Sequence, residues 1–241
     1  MKMPEMTEHP EKRVLIATGA YCMLMFFMIP IVLLFLTTGF HQEDQVLSWV
    51  QLGYHVVNIF ALAYIFRDHL SDCWTMVQLQ TKKVLLTALA GVAAAVILVL
   101  IIRVVGPLVI EVPELAVNSV PVVELELFLF PKQLAQTQPV LGTIVVVCSS
   151  VSVACLLYGT GFAPACSNRS WLGYLVVIGV LILHRNFYYY TVGTVEQAVS
   201  AFIVQLPIHL VACMTYHYTD SIWTPIFMLA GVNLLGCLGV I

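Results

Sequence analysis

Charged residues are scarce in this sequence. Asp, Glu, Lys and Arg make up 10% of the 241 residues, whereas hydrophobic residues make up 61%, and the mean hydropathy is +0.97. Soluble domains usually contain about 25% charged residues, so this composition excludes a water-soluble domain. The net charge of −3 gives no basic field that would attract a polyanion. Nucleic-acid binding is therefore excluded as well.

Patterned cysteines are also absent. The seven cysteines include no C-x-x-C pair and no cluster in a polar segment. They lie mostly inside apolar runs, where a thiol behaves as a small buried hydrophobic group. We therefore predict buried thiols that form neither disulfides nor a zinc site, and we predict no cofactor.

Acidic residues are missing from one long stretch. No Asp or Glu occurs between Glu126 and Glu196, although this stretch contains two long apolar runs. Hydrolysis needs a base that activates water, and a carboxylate is one of the usual choices. This absence limits the chemistry that the second half of the chain can perform.

Long apolar runs dominate what is present. A membrane-spanning helix needs about 20 apolar residues, and seven runs approach or exceed that length: 14–38, 46–66, 84–110, 139–163, 172–190, 197–218 and 222–241. The first run is too long for the apolar region of a signal peptide. We predict an all-α, polytopic bundle of seven transmembrane helices. An eighth, short or interfacial helix is the alternative, because residues 122–134 are amphipathic.

The basic residues predict an orientation. With seven spans and a cytoplasmic N-terminus, the inside segments contain seven Lys and Arg residues and the outside loops contain only Lys132. We predict a multi-pass protein of the cell membrane, with residues 1–13 in the cytoplasm. Residues 14–117 form the N-terminal transmembrane helices and residues 118–241 form a second part. The end of the third run is left open, because Gly106 and Pro107 can kink or stop a helix.

Ionisable residues inside the spans are candidates for function, because their burial in a bilayer costs free energy. They are His55, Arg103, His184, Arg185 and His209. We expect Arg103 to extend toward the membrane surface, and His55 and His209 to be neutral, hydrogen-bonded histidines. His184 is the strongest candidate, since it follows a small-residue stretch by one span. A nucleophilic Cys155 with His184 as its base is formally possible, but a thiol in apolar surroundings is inert.

The order of segments in the second half resembles a known family. Residues 154–160 read ACLLYGT, a span then reaches His184, and residues 218–226 read YTDSIWTPI before Asn233. This resembles the CPBP family of intramembrane endopeptidases, the CAAX-processing and bacteriocin-processing proteases also called Abi. The resemblance covers about residues 118–241, and its most specific part is the turn TDSIWTPI.

The resemblance implies a CAAX-protease-like fold whose catalytic motifs have degenerated. The family has a Glu-Glu-x-x-x-Arg motif, a Phe-x-x-x-His motif and a His-x-x-x-Asn motif on successive helices. Placed on this sequence, the motif positions that have lost their residues are Ala154, Cys155, Gly159, Val180 and Leu229, whereas His184 and Asn233 remain.

Two functions follow as expectations from this comparison of motifs. The first is a catalytically inactive membrane protein that interacts with or regulates others, with the lipid bilayer around it and a membrane helix or peptide held in the remnant of the cleft. The second is an active endopeptidase with a relocated metal site built from His184, His209 and Asn233. A transporter or channel subunit is a third alternative, although it requires paired broken helices and buried charge, and the sequence has few of either.

Overall fold

In a computed structural model of the chain, the described residues are 16, 56–57, 59–109, 140, 143–144, 147, 150–151, 153–163, 165, 169, 171–180, 182 and 195–237. These residues form helices and short connections, without a strand. The all-α prediction is therefore confirmed for the described part of the chain. Several predictions fall outside the described residues: those for the first apolar run (14–38, except position 16, which is helical), the amphipathic stretch 122–134, and the residues His55, His184 and Arg185.

Helix α1, Arg67–Leu79, is amphipathic and follows the helical residues 59–65. The junction at Phe66 keeps the helical hydrogen-bond pattern, because the Phe66 N–H donates to Leu62 O and the Leu70 N–H donates to Phe66 O, each at 2.8 Å. The apolar side chains Leu62, Phe66, Leu70, Cys73 and Val77 recur at helical spacing and are buried. The sequence predicted only a cytoplasmic connection here, between the apolar runs 46–66 and 84–110.

Helix α2, Thr81–Val109, is the long apolar helix of the structure. It extends past Gly106 and Pro107 to Val109, in agreement with the apolar run 84–110, so the alternative that the helix stops at these two residues does not hold. A transmembrane helix tolerates proline where neighbouring groups satisfy the freed backbone. In the described residues, Thr81–Gly106 is the one helix long and apolar enough to cross a membrane, and 22% of its most apolar window is buried.

The last two helices form a hairpin against α2. Helix α4, Val195–Thr219, includes Pro207, and helix α5, Trp223–Cys237, begins after a short turn. Both pack extensively against α2. The approach is close where a glycine lies in the contact: a Cβ on Gly91 would lie 2.9 Å from Thr215 Cγ2, and a Cβ on Gly231 would lie 2.8 Å from Val92 Cγ2.

The remaining described elements complete the bundle. Residues 153 and 163 flank a widened, π-helical segment, Ala154–Phe162, and helix α3 covers Trp171–Val180. Phe162 joins these elements to α4, because its ring packs edge-on against Tyr174 at 5.2 Å and against Tyr216 at 5.7 Å between centroids. Edge-to-face pairs of this kind are favourable contacts. One apolar core thus connects α1, the π-helical segment, α3, α4 and α5.

Candidate functional site

The π-helical segment contains the three positions aligned with the first catalytic motif. Ala154 and Cys155 are completely buried. The space beside the Gly159 Cα is occupied by neighbouring side chains. A Cβ on Gly159 would lie 3.0 Å from Phe66 Cε1 and 3.3 Å from Ile222 Cδ1. The three positions at which the expected resemblance predicts the loss of two acids and an arginine are therefore buried and without an ionisable acid or base of that kind. A guanidinium at position 159 would require Phe66 to move.

Helix α5 contains the two positions aligned with the last motif. Leu229 and Asn233 are both fully buried. The Asn233 side chain donates from Nδ2 to Ser150 Oγ at 3.0 Å, and its Oδ1 accepts no hydrogen bond within the described part of the chain. Ser150 lies one turn before Ala154, so this bond connects the helix of the last motif to that of the first. Amide and hydroxyl groups can orient a polar group, but neither is a base.

The second motif is described only at its first position. Val180, aligned with the family phenylalanine, lies at the end of α3 and is 44% exposed. It is therefore on the outside of the described bundle, whereas Ala154, Cys155 and Leu229 are inside. His184 lies outside the described residues, so the formally possible pair of Cys155 with His184, which the sequence argued against, is not tested.

A buried polar contact connects α4 to the π-helical segment. Tyr158 Oη lies 2.6 Å from His209 Nδ1, and both side chains are buried. The hydroxyl donates to Nδ1 when the imidazole is neutral with its proton on Nε2. The expectation of a hydrogen-bonded His209 is thus confirmed, but the sequence did not identify Tyr158 as the partner. Gln205, one turn before His209 on α4, is also buried.

The turn TDSIWTPI is held by hydroxyl groups. Thr219 Oγ1 donates to Thr215 O at 2.8 Å and lies 2.7 Å from Thr224 Oγ1 across the turn. Asp220 adopts φ 51°, a left-handed conformation that aspartate tolerates better than most residues. Its N–H donates to Tyr216 O at 2.8 Å and ends α4. These bonds hold a largely buried connection between α4 and α5, although the buried Ser221 hydroxyl within it has no hydrogen-bond partner among the described residues.

The described cysteines agree with the sequence prediction. Cys73, Cys155 and Cys213 are buried thiols outside any disulfide. Cys73 Sγ lies 3.8 Å from His69 Nε2, one turn away on α1. Burial raises the pKa of the Cys73 thiol, and the charges of Asp72 and Asp220 raise it further, while a hydrogen bond from the Ile222 backbone lowers it. This thiol is therefore a poor nucleophile despite its neighbouring imidazole.

In the part of the chain that the structure describes, no ion pair includes a motif position. The ion pair present there joins Arg67 Nε and Asp68 Oδ1 at 3.4 Å, and both side chains are largely exposed. No group of three His, Cys, Asp or Glu side chains among the described residues is placed to bind a metal ion. His209 and Asn233, two members of the relocated metal site, instead hydrogen-bond to Tyr158 and Ser150.

Comparison with known proteins identified no relative. No protein-family model matches the chain, and no significant match was found to a curated protein or to a solved structure.

Proposed function

We propose that this chain is a multi-pass membrane protein with a CPBP-like arrangement of helices that has no hydrolytic activity and acts by contacting other membrane proteins. One observation supports the loss of hydrolysis most directly. The positions aligned with the family's acids, Ala154 and Cys155, are buried among apolar side chains, and no acidic residue occurs from 127 to 195. Without a base, a hydrolase loses roughly 10²–10⁴-fold in rate from that step alone.

The membrane assignment is supported by the surface of α2. Large side chains such as Leu86, Leu89, Ile97 and Val104 are each more than half exposed on this helix. A contiguous apolar surface of this extent is unfavourable in water and favourable in a bilayer. In the proposed topology the N-terminus and α1 are cytoplasmic.

Interaction with another membrane segment is proposed at the outer surface of the bundle. The motif positions themselves leave no space for a guest: Leu229 is fully buried in the protein's own core, and Phe66 and Ile222 occupy the space beside Gly159. A partner held at the aligned cleft positions would have to displace these side chains. The exposed apolar face of α2 is open to a partner helix without such a rearrangement.

Photocrosslinking in native membranes tests the interaction. A photoreactive phenylalanine analogue is placed at Ile97, on the exposed face of α2, and at Leu229 as a buried control. We expect crosslinks from position 97 to a transmembrane peptide of another protein, identified by mass spectrometry, and only intramolecular crosslinks from position 229. Capture of lipid alone at position 97 would overturn the interaction role. Capture of a foreign peptide at position 229 would instead support a guest in the cleft.

Thiol labelling tests the topology. Ser71→Cys lies on the exposed side of α1, and it is introduced into a chain whose native cysteines are replaced by alanine. A membrane-impermeant maleimide is expected to label it only after the cells are opened. Labelling in intact cells would reverse the proposed orientation.

A further inference from the structure

Aromatic side chains cluster at one end of the bundle. The Trp74 ring of α1 packs edge-on against Trp223 of α5, with 5.0 Å between centroids. Trp223 Nε1 also donates to Leu70 O at 3.0 Å, which fixes the indole against the backbone of α1. Trp74 nevertheless remains 42% exposed. The Trp74–Trp223 pair therefore exposes apolar ring surface, and the indole N–H of Trp223 is hydrogen-bonded within the protein.

Two cations stack on tyrosines at the same end. Lys83 Nζ lies 4.6 Å from the centroid of the Tyr218 ring, and Arg67 Cζ lies 5.4 Å from that of Tyr64. Tyr64 is 72% exposed and Tyr218 is 64% exposed. Cation–π contacts at exposed sites are weak, so they orient these side chains only modestly.

The aromatic and basic side chains lie at the same end of the bundle, around the turn between α4 and α5. Tyr218 and Trp223 flank the short turn between α4 and α5, and Lys83 lies in the first turn of α2 beside Tyr218. The contact of Trp223 with Leu70 brings α1 to this turn. The aromatic and basic side chains therefore surround a single end of the packed helices.

The character of the exposed surface changes sharply at this level. Most exposed side chains of α1 are polar, among them Asp68, Ser71, Asp72, Thr75 and Gln78. Beyond Lys83, the exposed side chains of α2 become apolar within one turn, beginning with Leu85, Leu86 and Leu89. Such a transition, with Trp and Tyr at the boundary and Lys and Arg beside them, is typical of a membrane–water interface.

We infer that this end of the bundle binds the lipid–water interface of a phospholipid bilayer, with α1 as an interfacial helix that covers the ends of α4 and α5. The Trp74–Trp223 pair and the two tyrosines lie at the level of the headgroups. Lys83 complements the lipid phosphates, while the ion pair of Arg67 with Asp68 and the carboxylate of Asp72 belong to the water-facing side. This inference rests on the proposed membrane location of the chain and adds the depth and the surface at which the lipid is contacted.

Depth-dependent fluorescence quenching tests the inference. The chain has four tryptophans, Trp49, Trp74, Trp171 and Trp223. In one variant Trp74 is retained and the other three are replaced by phenylalanine. The matched control contains no native tryptophan and has Ile97→Trp in the middle of α2. Each purified variant is reconstituted into vesicles of phosphatidylcholine brominated either near the headgroup or near the end of the acyl chain.

The interface inference predicts opposite preferences for the two probes. Trp74 should lose most emission with bromine near the headgroup, and the indole of the I97W control should lose most with bromine near the chain end. Strongest quenching of both probes by chain-end bromine would overturn the inference, because α1 would then lie deep in the bilayer. Absence of Trp74 quenching, with normal quenching of the control, would also overturn it and would indicate aqueous exposure or coverage by a second copy.

The same experiment separates this inference from the membrane assignment. If bromine quenches neither probe, α2 does not enter the lipid, and the proposed membrane location fails as well. If it quenches only the I97W probe, the membrane location stands and only the interfacial position of α1 fails. Because Trp223→Phe in the Trp74-only chain also removes the indole donor to Leu70, a second variant retains Trp223 and has Trp49, Trp74 and Trp171 replaced by phenylalanine. Its remaining indole should also lose most emission with bromine near the headgroup, and strongest quenching of Trp223 by chain-end bromine would overturn the inference.

Discussion

The close approach of α2 and α5 at Gly231 gives a quantitative prediction of stability. Replacing Gly231 by alanine places a Cβ 2.8 Å from Val92 Cγ2, a separation that real Cβ atoms essentially never show. Val92 cannot easily rotate away, because a β-branched side chain has one strongly preferred rotamer in a helix. The helices must therefore move apart or Val92 must adopt a strained rotamer.

The expected magnitude follows from two opposing effects. Overpacking a well-packed core costs about 1–3 kcal/mol, whereas glycine to alanine within a helix gains up to about 1 kcal/mol. Gly179 provides the matched control, since a Cβ there meets no atom within 4 Å. The propensity gain is shared by both variants, so G231A should be less stable than G179A by about 1–3 kcal/mol.

Reversible unfolding in mixed micelles, with SDS as the denaturant, measures this difference. The double variant V92A/G231A removes the Cγ atoms that the new methyl group meets, so it should show a favourable coupling energy relative to the sum of the single variants. Equal stabilities of G231A and G179A, or a coupling energy near zero, would refute the close packing of α2 against α5.

Three further predictions concern polar and reactive groups. Tyr158→Phe removes the hydroxyl that lies 2.6 Å from His209 Nδ1. The lost hydrogen bond should lower the free energy of unfolding by about 1–3 kcal/mol in the same SDS titration. An unchanged free energy of unfolding would mean that the contact is not formed. Burial raises the pKa of the Cys73 thiol. In chains with a single thiol, maleimide labelling of Cys73 should therefore require a higher pH than labelling of Ser71→Cys. Coincident pH–rate profiles for the two thiols would contradict this prediction. Trp223→Phe removes the hydrogen bond to Leu70 O. Exchange of backbone amide hydrogens should then become faster in α1 but not in the middle of α2. Unchanged amide exchange in α1 would show that this bond does not anchor the helix.

The sequence predicted the helices because long apolar runs have few other solutions. The runs at 84–110 and 197–218 correspond to Thr81–Val109 and Val195–Thr219 within a few residues. Helix α1 was missed because its polar outer side lowers the average apolarity of the segment, although its buried stripe has helical spacing. The predicted run 84–110 includes Pro107, and the helix continues past it to Val109, so the alternative of a stop at Gly106 and Pro107 does not hold.

The sequence predicted which residue types the candidate site lacks, but not which side chains contact one another there. The absence of acids near Ala154 was readable directly. The contact of Tyr158 with His209 spans 51 positions of the chain, and neither residue has a local pattern that identifies the other. Similarly, the sequence showed that position 159 lacks an arginine, but only the packing shows that Phe66 and Ile222 occupy the space.

Hydrolysis of membrane-bound peptides tests the central claim most directly. The purified chain in lipid nanodiscs is incubated with a prenylated peptide and with a leader-bearing peptide, beside the His184→Ala variant and an active CPBP protease, and products are followed by mass spectrometry. We predict no more cleavage than with empty nanodiscs, because no acidic group is available between Glu126 and Glu196 to activate water. Cleavage by the unaltered chain that His184→Ala abolishes would contradict the claim.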